Sequence, residues 1–302
     1  MRKALCFLVG VLATVSMISC SRDDNSDNST LEDNFKDRSL VKSVTATYTG
    51  GYYLYGNHKF SLSYDTSGNL QSIICEPKSG SFPDIEYENY NWSVDIVNVE
   101  YYNSWDYRWA TENFIRNSEG YVTSGEITNE VYDHWIDDIL SSTRPYNCAY
   151  NENNLLAQIS TTYKESGVTI PVQIDYTWQN GNIILINKAN HLYELEYYTD
   201  KKETRDVGLR YLPVKSTHYL SLPDNPGWTE GFSLRGGLYN HNPMFLSKNL
   251  LKKYFDGYTT IDYFYDFDSK GRVIRQTQIF TSPPTAGSGH PEKTEHIYEY
   301  FD

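Results

Sequence analysis

The chain has 302 residues, a formal net charge of −13, and 28 Tyr beside 12 Phe and 6 Trp. Acidity on this scale sets nucleic acid and anionic membrane surfaces aside as partners. A Tyr-rich composition punctuated by Gly and Asn favours strands, and no apolar pattern of helical period runs beyond about two turns.

Arg2 and Lys3 open the chain, Ala4 to Ile18 is mostly apolar, and Ser19-Cys20 closes that run. A cationic start, a short apolar stretch and a small residue at the cut mark residues 1–19 as a signal peptide. The stretch is shorter than the ~20 residues of a membrane-crossing helix. Met17-Ile18-Ser19-Cys20 resembles the bacterial lipobox, with Met where Leu is usual. The resemblance implies that Cys20 is lipidated and becomes the mature N-terminus; an ordinary secreted protein cut near Ser19 is the alternative. Loss of residues 1–19 removes Arg2 and Lys3 and no acid, which moves the net charge from −13 to −15.

Residues 20–38 are acidic and poor in apolar side chains, so they read as a flexible tether. An acidic run behind a lipidated Cys resembles the surface-export signal of Bacteroidota lipoproteins. That implies lipid anchoring in the outer membrane with exposure at the cell surface, and a solvated spacer in a periplasmic lipoprotein is the plainer alternative. Asp23-x-Asn25-x-Asp27 fails as a calcium loop, because Asn28 and Asn34 stand where Gly and Glu are required.

Residues 39–302 read as one β-rich domain. Leu40 to Tyr48 alternates and ends at Gly50-Gly51, and Tyr52 to Tyr55 leads to a second turn at Gly56-Asn57. Phe60, Leu62 and Tyr64 share a strand face, Asp65-Thr66-Ser67-Gly68 turns, and Asn69 to Cys75 returns. Asp262 to Phe280 is the clearest such unit. Tyr263, Tyr265 and Phe267 alternate with Asp262, Phe264 and Asp266, and Asp268-Ser269-Lys270-Gly271 supplies the turn. Weaker copies turn at Asn117–Gly120, at Asn151–Asn154 and at Asn180-Gly181, the last favouring a type I′ hairpin. The turns are too irregularly spaced for a solenoid or propeller.

Residues 77–84 and 283–291 read as loops, as does Pro223 to Trp228. Val131, Trp135 and Ile139, at i, i+4 and i+8, make Val131 to Leu140 a short helix candidate. His191 to Tyr198 is a strand with Lys201-Lys202-Glu203 as its exposed hairpin end, and Glu295 to Phe301 closes the chain. The expected fold is all-β: an antiparallel β-meander forming a curved sheet or barrel-like domain, with at most one or two short helices. Cys75 and Cys148 read as buried free thiols, although an oxidising compartment permits pairing.

The Tyr-Asp-x-x-Gly hairpins, the Ser247-Lys248-Asn249 element before the C-terminal hairpin, and the lipobox together resemble the Bacteroidota lipoprotein families of unknown function with a porin-like β-fold. The resemblance covers most of the mature chain. It implies a fold and a location and carries over no catalytic residue.

Chemistry is sparse. G-x-S-x-G, G-x-x-x-x-G-K-[ST], G-x-G-x-x-G and H-E-x-x-H are all absent, so neither a catalytic motif nor a cofactor site is expected. His134 lies near Asp137 and Asp138, and His290 and His296 lie near Glu292 and Glu295. Neither group supplies the three or four converging ligands of a metal site, and no metal is expected. Asp266-x-Asp268-x-Lys270 fails as a calcium loop at its Lys. Paired carboxylates for glycan hydrolysis need a fixed separation that sequence does not show.

The aromatic run from Tyr87 to Trp109 offers a recognition surface, since rings stack on sugar faces, or it fills a β core. Trp92, Trp105, Trp109 and Trp228 are the candidate ligand-binding residues, and Cys20 is the lipidation site. The expected role is a non-catalytic binding or scaffold lipoprotein, held to the membrane by its lipid, with a glycan, a nutrient or an outer-membrane protein as partner. A carrier enclosing an apolar ligand, or a glycan hydrolase, is the alternative.

Overall fold

The computed structural model describes residues 38–49, 57–79, 86–102, 108–133, 138–165, 168–188, 191–206, 246–257, 259–281 and 292–301. They form seventeen strands. The first eight are β1 (Ser39–Thr49), β2 (Asn57–Tyr64), β3 (Leu70–Ser79), β4 (Glu86–Trp92), β5 (Ile96–Tyr102), β6 (Arg108–Arg116), β7 (Val122–Asp133) and β8 (Asp138–Tyr150). Then come β9 (Leu156–Glu165), β10 (Val168–Gln179), β11 (Asn182–Lys188), β12 (His191–Lys202), β13 (Arg205–Asp206), β14 (Asn249–Phe255), β15 (Thr260–Phe267), β16 (Val273–Thr281) and β17 (Lys293–Tyr300).

Sixteen of these strands close an antiparallel barrel. β1 to β12 pair in chain order, β12 pairs with β14, and β14 to β17 continue in order. β17 then pairs with β1, with Val44 opposite Tyr298. No helix occurs among the described residues. In the helix candidate at Val131 to Leu140 the described residues are strand instead, with Val131 opposite Leu140 and Asp133 opposite Asp138. A four-residue apolar spacing satisfies period two as well as the helical period, and strand pairing decides between them. Asn57, expected in a turn, starts β2, and β3 extends through Pro77 to Ser79. Pro223 to Trp228 and residues 283–291 lie outside the described residues.

One end of the barrel is built from a repeated turn. Asp65 Oδ1 accepts the N–H groups of Ser67 and Asn69 at 2.8 and 2.9 Å. Asn117 does the same for Glu119 and Tyr121, Asn151 for Asn153 and Leu155, and Asp268 for Lys270 and Arg272. The fourth residue of each turn takes positive φ: Gly68, Gly120, Asn154 and Gly271. Asn180 and Gly181 are both left-handed, as a type I′ turn requires. Asn151→Ala removes two backbone bonds and is expected to cost about 1–2 kcal/mol, whereas Asn151→Asp keeps the acceptor. Urea unfolding of the two variants checks this.

An aromatic side chain shortly before most of the short turns, or near the chain end, ties neighbouring strands together. Tyr64 Oη donates to Val41 O at 2.5 Å, Trp92 Nε1 to Leu70 O at 2.6 Å, and Tyr150 Oη to Val122 O at 2.8 Å. Trp178, Tyr265 and Tyr300 bond Leu156 O, Leu251 O and Val273 O in the same way. These positions take four of the 28 Tyr and two of the 6 Trp.

The same end is locked by β13. Glu203, expected at an exposed hairpin tip, is buried. Arg205 Nε and Nη2 donate to its two oxygens at 2.7 and 2.6 Å, and Arg205 Nη1 donates to Tyr298 Oη at 2.7 Å and to Gln276 Oε1. Gln276 and Tyr298 lie on the buried faces of β16 and β17, so β13 lies within the ring of strands. Arg38 Nη2 donates to Ser247 O, Lys248 N to Gly181 O, and Asn249 N to Asn182 Oδ1. The Ser247-Lys248-Asn249 element is therefore a fastening of the barrel end.

Most of the buried set faces inward and forms one core drawing on nearly every strand, and Tyr121, Leu155 and Leu246 form a second, smaller cluster. On β10, Val172, Ile174 and Tyr176 point in, while Pro171, Gln173, Asp175 and Thr177 point out. Sixteen-stranded porins hold an aqueous channel; here the inward side chains are packed instead. Of the leading hairpin, Tyr263 is core, while Phe264 and Phe267 are exposed.

Candidate functional site

The inward face of β4 to β8 carries an acidic cluster in this apolar interior. Stepping by two from Trp92 along β4 brings Tyr90 and then Glu88 inward, and stepping from Phe114 along β6 brings Glu112 and Ala110. Glu112 is 0% exposed and Glu88 4%. Tyr90 Oη donates to Glu88 Oε2 at 2.9 Å. Tyr101 Oη donates to Glu112 Oε2 at 2.8 Å, and Tyr146 Oη to Glu112 Oε1 at 3.3 Å. Tyr101 pairs across the strands with Glu88, which brings both acids to one ring.

Gly125, opposite both Phe114 and Tyr146, makes room for this arrangement. A Cβ there would strike the Tyr146 ring and hydroxyl, and would lie 2.5 Å from Asn113 O. The bare backbone lets Tyr146 lie across β7 toward Glu112.

Burial, and next the charge of Glu112, pushes the Tyr101 and Tyr146 phenols well above their ordinary range. The same two causes push the Cys148 thiol up to about 12. At neutral pH all three stay protonated. The phenols donate to carboxylates, and Cys148 lacks the thiolate of a nucleophile. Cys75 and Cys148 are both free thiols, the first buried and the second half-buried. A carboxylate pair that hydrolyses glycans must receive substrate and water between its members. Here phenol rings cover both acids.

Trp92 takes part in strand tethering. Its ring ties β4 to β3, and the Arg116 guanidinium lies 5.4 Å over it. Trp109 belongs to β6 at an irregularity opposite Tyr101 and Tyr102. Trp105, Trp228, Cys20, His134, Asp137 and His290 lie outside the described residues. The aromatic run divides between the two faces: Tyr90 and Tyr101 enter the core, while Tyr87 and Tyr102 stack at 4.6 Å on the outer wall. His296 is fully buried, whereas Glu295 faces out and pairs with Lys293, so the two do not converge. Among the described residues no group of three potential ligands could hold a metal ion. Glu88 and Glu112 were legible only as acids sharing strand parity with inward aromatics, a signal that needs the strands to be assigned first.

Residues 62–275 match the family described as "Domain of unknown function (DUF4595) with porin-like fold". The chain belongs to this family. Among solved structures, a porin-like protein from Bacteroides uniformis covers 88% of this chain and all of its own length, at 12% identity and a TM-score of 0.54. A porin-like protein from Bacteroides vulgatus covers 87% of this chain and 99% of its own, at 13% identity and a TM-score of 0.47. Identity at this level concerns the fold alone. No curated protein matches the chain. For this DUF4595 member, the closed barrel and its interior are thus the features from which a role can be argued.

Proposed function

We propose that this chain is a lipid-tethered barrel that stands in water beside the outer membrane, as a non-catalytic binding or scaffold module. One observation carries the reading: the polarity of the wall. A membrane-spanning barrel turns an apolar band outward and a polar lumen inward. Here many outward side chains bond laterally across the sheet as polar ladders, alongside exposed apolar side chains at Ile74, Ile115, Leu192, Phe264 and Ile297. Asn98 donates to Asn113 at 2.9 Å, Asn113 to Glu126 at 3.3 Å, and Gln158 to Asp175 at 2.9 Å, while Thr128 and Thr143 share a bond of 2.9 Å. Lys253–Asp262, Arg275–Asp266 and Lys293–Glu295 pairs face out on the opposite side. Such a wall belongs in water, so attachment to a membrane falls to the lipid on Cys20.

The tether enters at the short-turn end, where Ser39 N donates to Thr204 O. The 18 residues from Cys20 to Asp37 reach about 60 Å when fully extended and roughly 23 Å as a flexible coil. That favours presenting the opposite end to a glycan or an outer-membrane protein. The packed interior weighs against the reading as a carrier of an apolar ligand, and the covered acids weigh against a hydrolase.

Detergent phase partitioning tests the anchor and the wall together. The wild type is expected in the detergent phase, and residues 21–302 made without leader or lipid in the aqueous phase with the same cooperative melt. A folded leaderless protein that stays in detergent would mean that the wall itself enters the bilayer. A thermal-shift panel of glycans then addresses the ligand, since a guest at a hundred times its Kd adds about 2.7 kcal/mol of stability.

A further inference from the structure

Across the ring from the acidic cluster, the inward faces of β15 to β17 carry a second polar group. We propose that it is an interior site for a neutral hydroxyl, supplied by an ordered water. The inference stands whether or not the chain is tethered. Beside Val273 on β16 the buried positions are Gln276 and Gln278, and beside Tyr298 on β17 they are Thr294 and His296, where other strands place Val, Ile, Leu or Phe. Pairing sets Tyr263 opposite Gln278, Gln278 opposite Thr294, and Gln276 opposite His296. Amide, hydroxyl and phenol therefore share one row.

Gln276 has a structural task, as it accepts from Arg205. Gln278 and Thr294 have none of that kind. They are 3% and 2% exposed, yet Gln278 Nε2 and Thr294 Oγ1 have no hydrogen-bond partner among the described residues. Buried donors left unmet are costly, and native proteins meet them with protein groups or bound guests. The guest is neutral, because the charged groups beside the row, Arg205 and Glu203, already satisfy each other at 2.6 Å. An amide N–H donates and a threonine hydroxyl both donates and accepts, which is the complement of a hydroxyl.

The test uses the side-chain amide resonance of Gln278 in the mature protein, identified by its loss in Gln278→Leu. The expected result is a cross-peak from the amide protons to long-lived bound water, unchanged by added glycerol. The isosteric Thr294→Val is expected to abolish the cross-peak while keeping a cooperative melt. Wild-type amide protons without this cross-peak overturn the proposal, as does a folded Thr294→Val protein that retains it.

Discussion

Arg205→Met is expected to destabilise the barrel by about 3–5 kcal/mol, the cost of leaving a buried ionic partner uncompensated. Glu203 and Arg205 are 5% and 4% exposed, so solvent screens their pair little. The substitution deletes two bonds to Glu203 together with those to Tyr298 and Gln276, and strands the carboxylate inside the ring. Glu203→Leu combined with Arg205→Met is expected to recover much of the loss, because two apolar groups replace the pair without leaving a charge. Urea midpoints of the single and double variants measure both effects. A single variant within 1 kcal/mol of wild type would remove the latch as a determinant of stability.

The same pair gives a pH dependence. Burial pushes the Glu203 carboxyl up, but the adjacent Arg205 guanidinium more than offsets this and holds it below the ordinary range. A carboxyl lowered on folding stabilises above its unfolded value, about 4.3, and that contribution is lost as pH falls through the lower folded value. In Arg205→Met the buried carboxyl has lost its cation, so acid neutralises a costly charge. The stability gap between wild type and variant should therefore narrow from pH 7 to pH 4. A gap that stays constant would point to lost packing rather than lost charge.

Gly125→Ala is expected to cost about 3 kcal/mol, at the upper end of overpacking penalties. The added methyl meets the Tyr146 ring and the backbone carbonyl of Asn113. Because one obstacle is backbone, Gly125→Ala/Tyr146→Ala should recover only part of the stability expected from independent losses. Tyr146→Phe alone removes the hydroxyl from Glu112 and leaves the ring in place, which separates the hydrogen bond from the packing. A Gly125→Ala protein that melts like wild type would show that β7 shifts freely at this point.

The sequence alone determined the local devices. The Asx turns at Asp65, Asn117, Asn151 and Asp268 close within five residues, so their chemistry is written in adjacent positions. Alternation in β15 and β16 likewise follows from the pleat, and with the turns it fixed an all-β, antiparallel class. Tertiary structure decided what depends on distant partners. Val44 meets Tyr298 across the closing seam, and no local pattern distinguishes that seam from an open sheet edge. Glu203 reads as a solvated tip beside two lysines until β13 turns into the ring and supplies Arg205. Val131 to Leu140 fits a helix until Val131, Tyr132 and Asp133 pair with Leu140, Ile139 and Asp138. Glu88 and Glu112 gain meaning only when their strands turn them inward beside Tyr90, Tyr101 and Tyr146. Turn chemistry acts over a few residues, whereas closure, burial and side-chain neighbourhood are set by contacts between residues up to about 250 positions apart, which only the folded chain brings together.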